Sequence, residues 1–370
     1  MNVLFKQKKI LLIISLCFVS IIFLSRSFYN AVLLEDHSSK DLFIIYNLSK
    51  LFLEKIDVYE HFFTNKTIYP TVWGHLCYII FSPFSLLSFK LLKILWFFIN
   101  LTIFFLIIKI LKKQYSLNTN QILFLSIISV SSTPLTNTLG NGQLGLIFLL
   151  LFLTYWYSKS KFKFLILSLF STKVSLGAIF ILNSFLKKEK DFFYFIIITF
   201  ISTIFYSFYV NDFSYKQFFN PILAILDYST RFSFKGIGNL NDILTIFGIK
   251  KYYFIILTLI LFISSFFLFN KKKSDNLFFS LIILTLILFY HRIYDYVLLI
   301  PIAAYAIKDQ NNILVRFIFF LTVIFFFHII KINEVILNNF FSLEIINIIG
   351  FLLLLACFLV NNLKSNFKGF

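Results

Sequence analysis

Asp41 is the acidic residue of this chain whose surroundings most suggest chemistry. It opens a stretch with apolar residues at helical spacing, which predicts an amphipathic helix over residues 41–53 lying on a membrane. A carboxylate at that position either caps the helix, where the helix dipole favours its charged form, or acts as a general base on a hydroxyl group. Asp36 is the nearby alternative base. The other candidate site residues are Asn141, Gln143, Lys173, Arg231, Asn239, His291, Arg292 and Asp295.

Cationic and amide side chains among these candidates suit a sugar that carries a phosphate. Arg292 and Lys173 could bind phosphate oxygens, although at a membrane both side chains could instead extend to lipid headgroups. Asn141 and Gln143 lie near a predicted helix start, where they could donate to sugar hydroxyls or cap the helix. The sequence leaves both readings of each residue open.

A second group of candidates lies later in the chain. His291 could contact phosphate or sugar, or serve as a structural hydrogen-bonding group at a helix end, and Asp295 could simply pair with Arg292. Arg231 and Asn239 belong to a long polar stretch and could contact phosphate or an acceptor. The histidines share no metal-ligand spacing and the chain has no D-x-D motif, so neither a metal nor a cofactor is predicted.

The composition identifies the elements that must hold these residues. Of the 370 residues, 59% are hydrophobic and only 14% are charged, whereas soluble domains are about 45–50% apolar and about 25% charged. The apolar residues fall in blocks long enough to cross a bilayer as helices, and they show no period-two alternation. We therefore predict an all-α, polytopic integral membrane protein with a single domain over residues 1–370.

The hydrophobic pattern predicts about twelve crossings with both termini in the cytoplasm. Residues 71–88 contain Pro83 and are predicted to form a partly embedded element that does not cross. Two long loops, 26–70 and 211–250, fall on the extracytoplasmic side. The predicted crossings are 10–28, 91–111, 121–135, 143–157, 162–172, 174–186, 192–210, 252–269, 277–290, 295–307, 313–330 and 344–361.

Charge supports this orientation and argues against nucleic acid as a partner. The formal net charge is +18, and the loops assigned to the cytoplasm hold 19 of the 34 Lys and Arg residues but 4 of the 16 acidic residues. Basic residues concentrated in short loops on one side follow the positive-inside rule. Since most acidic and polar candidates lie on the other side, we expect an active site at the outer face, with the lipid bilayer itself as a partner.

Several short motifs resemble glycosyltransferase family 87, a group of GT-C membrane enzymes. In the first loop, the order D-L-x-x-x-Y from Asp41 is followed by D-x-Y at Asp57 and by Tyr69-Pro70. Further along come Gly142-Gln143 at the start of an apolar span and Lys173 between two apolar segments. The last two elements are G-N-L-N over 238–241 and Y-H-x-x-Y-D over 290–295.

The resemblance implies a GT-C-like fold with a long first extracytoplasmic loop, and an inverting hexosyltransferase. The donor would be a polyprenyl-phosphate sugar, typically mannose, and the acceptor a hydroxyl group on a glycolipid or glycan. Asp41 would be the catalytic base, in a multi-pass protein of a bacterial plasma membrane. Two other classes stay open: a transporter or flippase for a lipid-linked saccharide, and an envelope polysaccharide polymerase or ligase with a lipid-diphosphate donor.

Overall fold

A computed structural model describes residues 2–34, 39–65, 73–159, 161–231, 274–289, 292–309, 312–327 and 343–367, together with residues 240, 244, 248, 256 and 260. All regular elements in these ranges are helical. The α-helices, in chain order, are α1 Asn2–Phe28, α2 Lys40–Leu53, α3 Val58–Asn65, α4 His75–Phe81, α5 Phe89–Tyr115, α6 Thr119–Val130, α7 Thr133–Asn141, α8 Gly145–Tyr157, α9 Lys163–Leu169, α10 Val174–Leu186, α11 Lys190–Tyr209, α12 Asn220–Arg231, α13 Asp275–Leu288, α14 Ile300–Lys308, α15 Ile313–Phe327 and α16 Leu343–Phe367.

The chain divides into two compact units, of which the first comprises residues 1–42, 93–149 and 293–329. In this unit α7 packs against α1 and against a 3₁₀ helix at Ile293–Leu299, while α14 packs against α6 and α15. The start of α6 is closed by a capping box between Asn118 and Gln121, which satisfies otherwise unpaired backbone N–H groups. The Gln121 Nε2 group also donates to the Ile307 carbonyl at 3.1 Å, which ties α6 to α14.

The second unit comprises residues 43–92, 150–292 and 330–370. Its helix α11 packs against α4 and α9, and α13 packs against α16. Twelve of the fourteen residues of α13 are buried, all except the first two. The helix is apolar on every side because it has no solvent face. Short 3₁₀ helices at Phe170–Lys173 and Tyr215–Phe218 connect the longer helices of this unit.

Three helical stretches among the described residues are long and apolar enough to cross a membrane: Phe89–Tyr115, Lys163–Leu186 and Lys190–Tyr209. A fourth is possible by length if α6 and α7, which meet at a 60° bend, count as one broken span. An all-α membrane protein is therefore supported. The count of twelve crossings and the GT-C-like arrangement stay predictions, as does the assignment of the whole chain to one domain.

The break predicted at Lys173 is present, but its form differs from the prediction of two short crossings. Helix α9 runs into the 3₁₀ turn Phe170–Lys173 and then into α10, so that the three together make one candidate span of 24 residues. The tighter 3₁₀ winding changes the helix locally without reversing the chain. Residues 158–163 and 187–191, both assigned to the cytoplasmic side, consequently lie at opposite ends of one span.

The elements of the first long loop are close to the prediction. Helix α2 begins at Lys40, one residue before the predicted start, and Asp41 lies in its first turn. The element that contains Pro83 consists of α4 followed by a 3₁₀ turn, Ser82–Leu86. It belongs to the shorter apolar helices and not to the candidate spans.

Candidate functional site

Ser39, the residue before α2, holds the start of this helix in place within the first unit. The Ser39 hydroxyl donates to the Ala31 carbonyl at 2.9 Å, and the Ser39 backbone N–H donates to the Gly140 carbonyl at 3.2 Å. The second contact joins the entry of α2 to a residue about 100 positions further along the chain. Asp41, half-buried in the following turn, is thereby placed beside the end of α7.

Gly142 makes that close approach possible. It ends α7 in the left-handed conformation, with φ +67°, where residues with a side chain are strained. A Cβ atom at this position would lie 2.6 Å from the Cβ of Leu42, the neighbour of Asp41. The Gly142 carbonyl also accepts a 2.9 Å hydrogen bond from the Trp96 indole N–H. The turn at 141–143 therefore packs directly on the first turn of α2.

Gln143 presents a buried amide at this turn. Its backbone N–H donates to the Thr138 carbonyl at 3.0 Å, and its side chain is 4% exposed. Within the described ranges, its Nε2 group has no hydrogen-bond partner. A buried donor left unpaired costs about 1–3 kcal/mol, so a ligand oxygen that accepts from this group would remove a real penalty. Asn141, half-buried at the end of α7, lies two residues away.

Asp295 lies in the 3₁₀ helix Ile293–Leu299, which packs against α7. The Thr138 hydroxyl, in α7, donates to the Tyr294 carbonyl at 3.1 Å, and this bond holds α7 beside the 3₁₀ helix. A Cβ on Gly145 would lie 3.9 Å from Asp295 Oδ1, and Asp295 is 1% exposed. Four predicted residues thus lie in α7, in the turn after it or on segments packed against them, and we name them the Asp41 cluster: Asp41, Asn141, Gln143 and Asp295.

Lys173 lies in the second unit, at the 3₁₀ turn before α10, and is 6% exposed. The turn is fixed from the side by α4. The Gly74 N–H donates to the Thr172 carbonyl at 3.1 Å, and a Cβ on Gly74 would lie only 2.3 Å from the Ser171 carbonyl oxygen. The backbone of residue 74 can approach this closely only without a side chain. Lys173 is therefore held in a rigid, low-dielectric position.

The remaining predicted site residues are Arg292, Arg231, Asn239 and His291. Arg292 is half-buried and directly precedes the 3₁₀ helix Ile293–Leu299. Arg231 is the last residue of α12, and its side chain is outside the described part of the structure. Asn239 and His291 lie outside the described residues, as do Asp36 and the Tyr69-Pro70 motif.

A second carboxylate, Asp57, is the centre of a buried network that the sequence analysis did not single out. One oxygen accepts from the Tyr59 N–H at 2.9 Å and from the Tyr206 hydroxyl at 3.0 Å. The other accepts from Gln217 Nε2 at 2.5 Å. Burial raises the pKa of Asp57, while the bonds from Tyr59, Gln217 and Tyr206 act in the opposite direction and the charge of Asp212 adds to the rise.

The network continues through Gln217 to a histidine. Gln217 Nε2 also donates to Asp212 Oδ2 at 2.6 Å, and with both amide hydrogens directed at carboxylates, its Oε1 must accept. That oxygen lies 3.3 Å from His75 Nε2, which is therefore the protonated ring nitrogen. Burial lowers the pKa of His75 to about 4, although the Gln217 bond raises it, so the ring is neutral at pH 7. We name these residues the Asp57 network: Asp57, Tyr59, His75, Tyr206, Asp212 and Gln217.

The D-x-Y motif was the available signal for this network. It contains Asp57 and Tyr59, but Tyr206 and Gln217 are about 150 residues further along the chain. No local pattern indicates a partner at that distance.

Comparison with known families gives one match. The sequence model described as Glycosyltransferase family 87 matches residues 74–290, which is more than half of the chain. Neither the curated proteins nor the solved structures contain a match. The matched range includes Gln143, Lys173 and four of the six residues of the Asp57 network: His75, Tyr206, Asp212 and Gln217.

Proposed function

Because this chain belongs to glycosyltransferase family 87 and is thus a glycosyltransferase, we propose that it transfers a hexose from polyprenyl phosphate to a hydroxyl acceptor. The sugar we favour is mannose, and the acceptor is a glycolipid or glycan. The reaction is placed at the extracytoplasmic surface of a bacterial plasma membrane. The apolar helices that are long enough to cross a bilayer support a membrane-bound donor rather than a soluble nucleotide sugar.

The observation that carries the proposal is the Asp41 cluster. It combines the half-buried Asp41 carboxylate at a helix start, the Gln143 amide that has no partner among the described residues, and the buried Asp295 carboxylate on a 3₁₀ helix packed against α7. Carboxylate and amide groups are the usual partners of sugar hydroxyls. The cluster is therefore suited to bind and deprotonate a hydroxyl group.

In the proposed reaction the acceptor oxygen attacks the anomeric carbon and its proton passes to the Asp41 carboxylate. The new C–O bond forms as the bond from that carbon to the phosphate oxygen breaks, and polyprenyl phosphate leaves with the electron pair. Attack opposite the leaving group inverts the anomeric configuration. Lys173 and Arg292 are the proposed partners of the phosphate, where fixed positive charge stabilises the charge that develops. No metal or cofactor is needed for these steps.

The test is to incubate the purified protein in lipid nanodiscs with radiolabelled polyprenyl-phosphate mannose and a membrane lipid extract. We expect loss of the donor and a new labelled product of inverted configuration. Lys173→Met is expected to raise the donor KM about tenfold or more, since a hydrogen bond to a charged group contributes about 1.5–3 kcal/mol. Lys188→Met, which removes an exposed lysine two residues beyond the end of the span that contains Lys173, is the control.

Two results would overturn the proposal. Retention of the intact donor under all conditions, with its movement between leaflets, would favour the flippase alternative. Consumption of a lipid-diphosphate donor and not of the monophosphate would favour the polymerase or ligase.

A further inference from the structure

A cavity of about 400 Å³ lies within the second unit, between α4, α10, α11 and the beginning of α12. Its volume is within the range of about 300–1,000 Å³ that is usual for ligand pockets. Most of the wall is hydrocarbon, contributed by residues such as Ile181, Leu182, Phe195 and Phe218. Such a wall binds an apolar chain and gives little hydration to a polar one.

The position of the cavity indicates that its occupant comes from the bilayer. Both α10 and α11 belong to candidate membrane spans. The side of α11 away from the cavity is strongly exposed and apolar, with Phe193 63% and Phe208 68% exposed. In a membrane this surface contacts lipid chains, so the cavity lies one helix away from the hydrocarbon phase.

One end of the cavity carries hydrogen-bonding groups. Since His75 Nε2 carries the ring proton, Nδ1 is left as an acceptor. The Thr203 hydroxyl lies 3.4 Å from His75 Nδ1 but donates its proton to the Thr199 carbonyl at 3.0 Å. One turn earlier on the same helix, the buried Thr199 hydroxyl has no hydrogen-bond partner within the described residues. Both threonines and His75 line the cavity. An acceptor and an unsatisfied hydroxyl are therefore available at the end of an apolar space.

The lack of charge among the described residues at this end of the cavity favours an uncharged lipid over an anionic one. With His75 neutral, none of the described residues that line the cavity is charged. The lining side chains would not compensate a phosphate or carboxylate for its lost hydration, which is costly in an apolar site. An alcohol needs only one acceptor and one donor, and both are present.

We propose that this cavity binds the hydrocarbon chain of an uncharged lipid alcohol. Its hydroxyl donates to His75 Nδ1 and accepts from Thr199, and its chain lies against the aliphatic and aromatic wall. This site goes beyond the proposed transferase reaction, because the polyprenyl-phosphate donor is anionic.

The experiment uses the full-length protein in nanodiscs, with no sugar donor, and a photoactivatable diazirine derivative of hexadecanol as the probe. The corresponding fatty carboxylate and an isoprenoid phosphate with the same reactive group serve as competing probes. We expect the alcohol to label peptides from α10 or α11, and the two anionic probes to label them at least about tenfold less.

Two variants test the site. Ala178→Phe places a ring in the cavity and is expected to reduce labelling about tenfold, while Ile196→Phe on the exposed side of α11 leaves it unchanged. Thr199→Val removes a hydroxyl without changing size, and is expected to reduce labelling about fivefold, as for one hydrogen bond.

Equal labelling by the alcohol and the anions, or labelling that survives both Ala178→Phe and Thr199→Val, would overturn the inference. Because the assay contains no sugar donor, these outcomes are independent of whether the protein transfers a hexose.

Discussion

The Asp41 cluster and the Asp57 network both place carboxylates next to amide groups, yet they differ in how completely those groups are satisfied. In the Asp57 network, the Gln217 amide donates both hydrogens to carboxylates and its oxygen faces His75. In the Asp41 cluster, the Gln143 amide nitrogen has no partner in the described part of the chain. A saturated network stabilises the fold, whereas an unsatisfied donor is suited to bind a substrate.

The largest expected effect is on catalysis by Asp41. Asp41→Asn keeps the size of the side chain and its ability to form hydrogen bonds, but removes the group that accepts a proton. We expect transfer to fall about 10²–10⁴-fold, the usual contribution of a general base, with donor binding and thermal stability nearly unchanged. Transfer kinetics and thermal unfolding in detergent measure the two quantities.

Asp36→Asn is the matched control, because it removes the same charge five residues earlier. If Asp36→Asn were inactive and Asp41→Asn active, the assignment of the base would be wrong. The Asp41 cluster would then have no catalytic role to set against the Asp57 network.

At Asp57 we expect the opposite pattern, a loss of stability with little change in transfer. Asp57→Ala leaves the Tyr59 N–H, the Tyr206 hydroxyl and the Gln217 amide without their acceptor, so we expect a loss of roughly 2–4 kcal/mol in the free energy of unfolding. Transfer per folded molecule should stay within about threefold of wild type. Asp57→Asn, which keeps one acceptor oxygen, is expected to lose less stability. A stable but inactive Asp57→Ala protein would move the base to the second unit.

The neutral His75 predicts a pH dependence of stability. In the unfolded chain histidine binds a proton below its ordinary pKa of 6.5, whereas in the folded protein it does so only near 4. Between these values the unfolded state binds more protons, so stability is lost as the pH falls. The loss from this residue reaches about 2 kcal/mol at pH 5.

His75→Gln can still form hydrogen bonds but does not titrate, and its unfolding free energy should fall less between pH 7.5 and pH 5 than that of wild type. If the unfolding free energies of His75→Gln and wild type fell equally between pH 7.5 and pH 5, His75 would take up its proton, and so be charged, in the folded state as well.

The smallest effect compares the two amides directly. Gln143→Met removes an unsatisfied buried donor, so we expect stability to stay the same or to rise by up to about 1 kcal/mol, while transfer efficiency falls about fivefold. Gln217→Met removes an amide with a full set of partners, and should lower stability and leave transfer per folded molecule unchanged. Identical behaviour of the two variants would contradict the distinction between cluster and network.

The sequence predicted what depends on local pattern. The helix that carries Asp41 was placed within one residue, because apolar residues at helical spacing follow a polar start. The interruption at Lys173 was predicted because a lysine between apolar segments is costly unless the structure provides for it. The family assignment is confirmed by the match over residues 74–290. The role of each candidate residue stays a prediction.

Features that depend on distant contacts were not predicted. Periodicity could not show that α9 and α10 continue one another, since a 3₁₀ turn and a reversal both interrupt an apolar run. The network around Asp57 depends on partners about 150 residues away, and the neutral state of His75 depends on the orientation of Gln217. Such properties arise only once the helices are packed.

The contact between Leu42 and Gly142 also sets an order of events during biosynthesis. The two residues are separated by 100 positions in the chain, and a ribosome adds about 5–20 residues per second. Helix α2 therefore emerges roughly 5–20 s before the turn on which its first residues rest. Throughout that interval the nascent protein already carries Asp41 but lacks the surface that positions it.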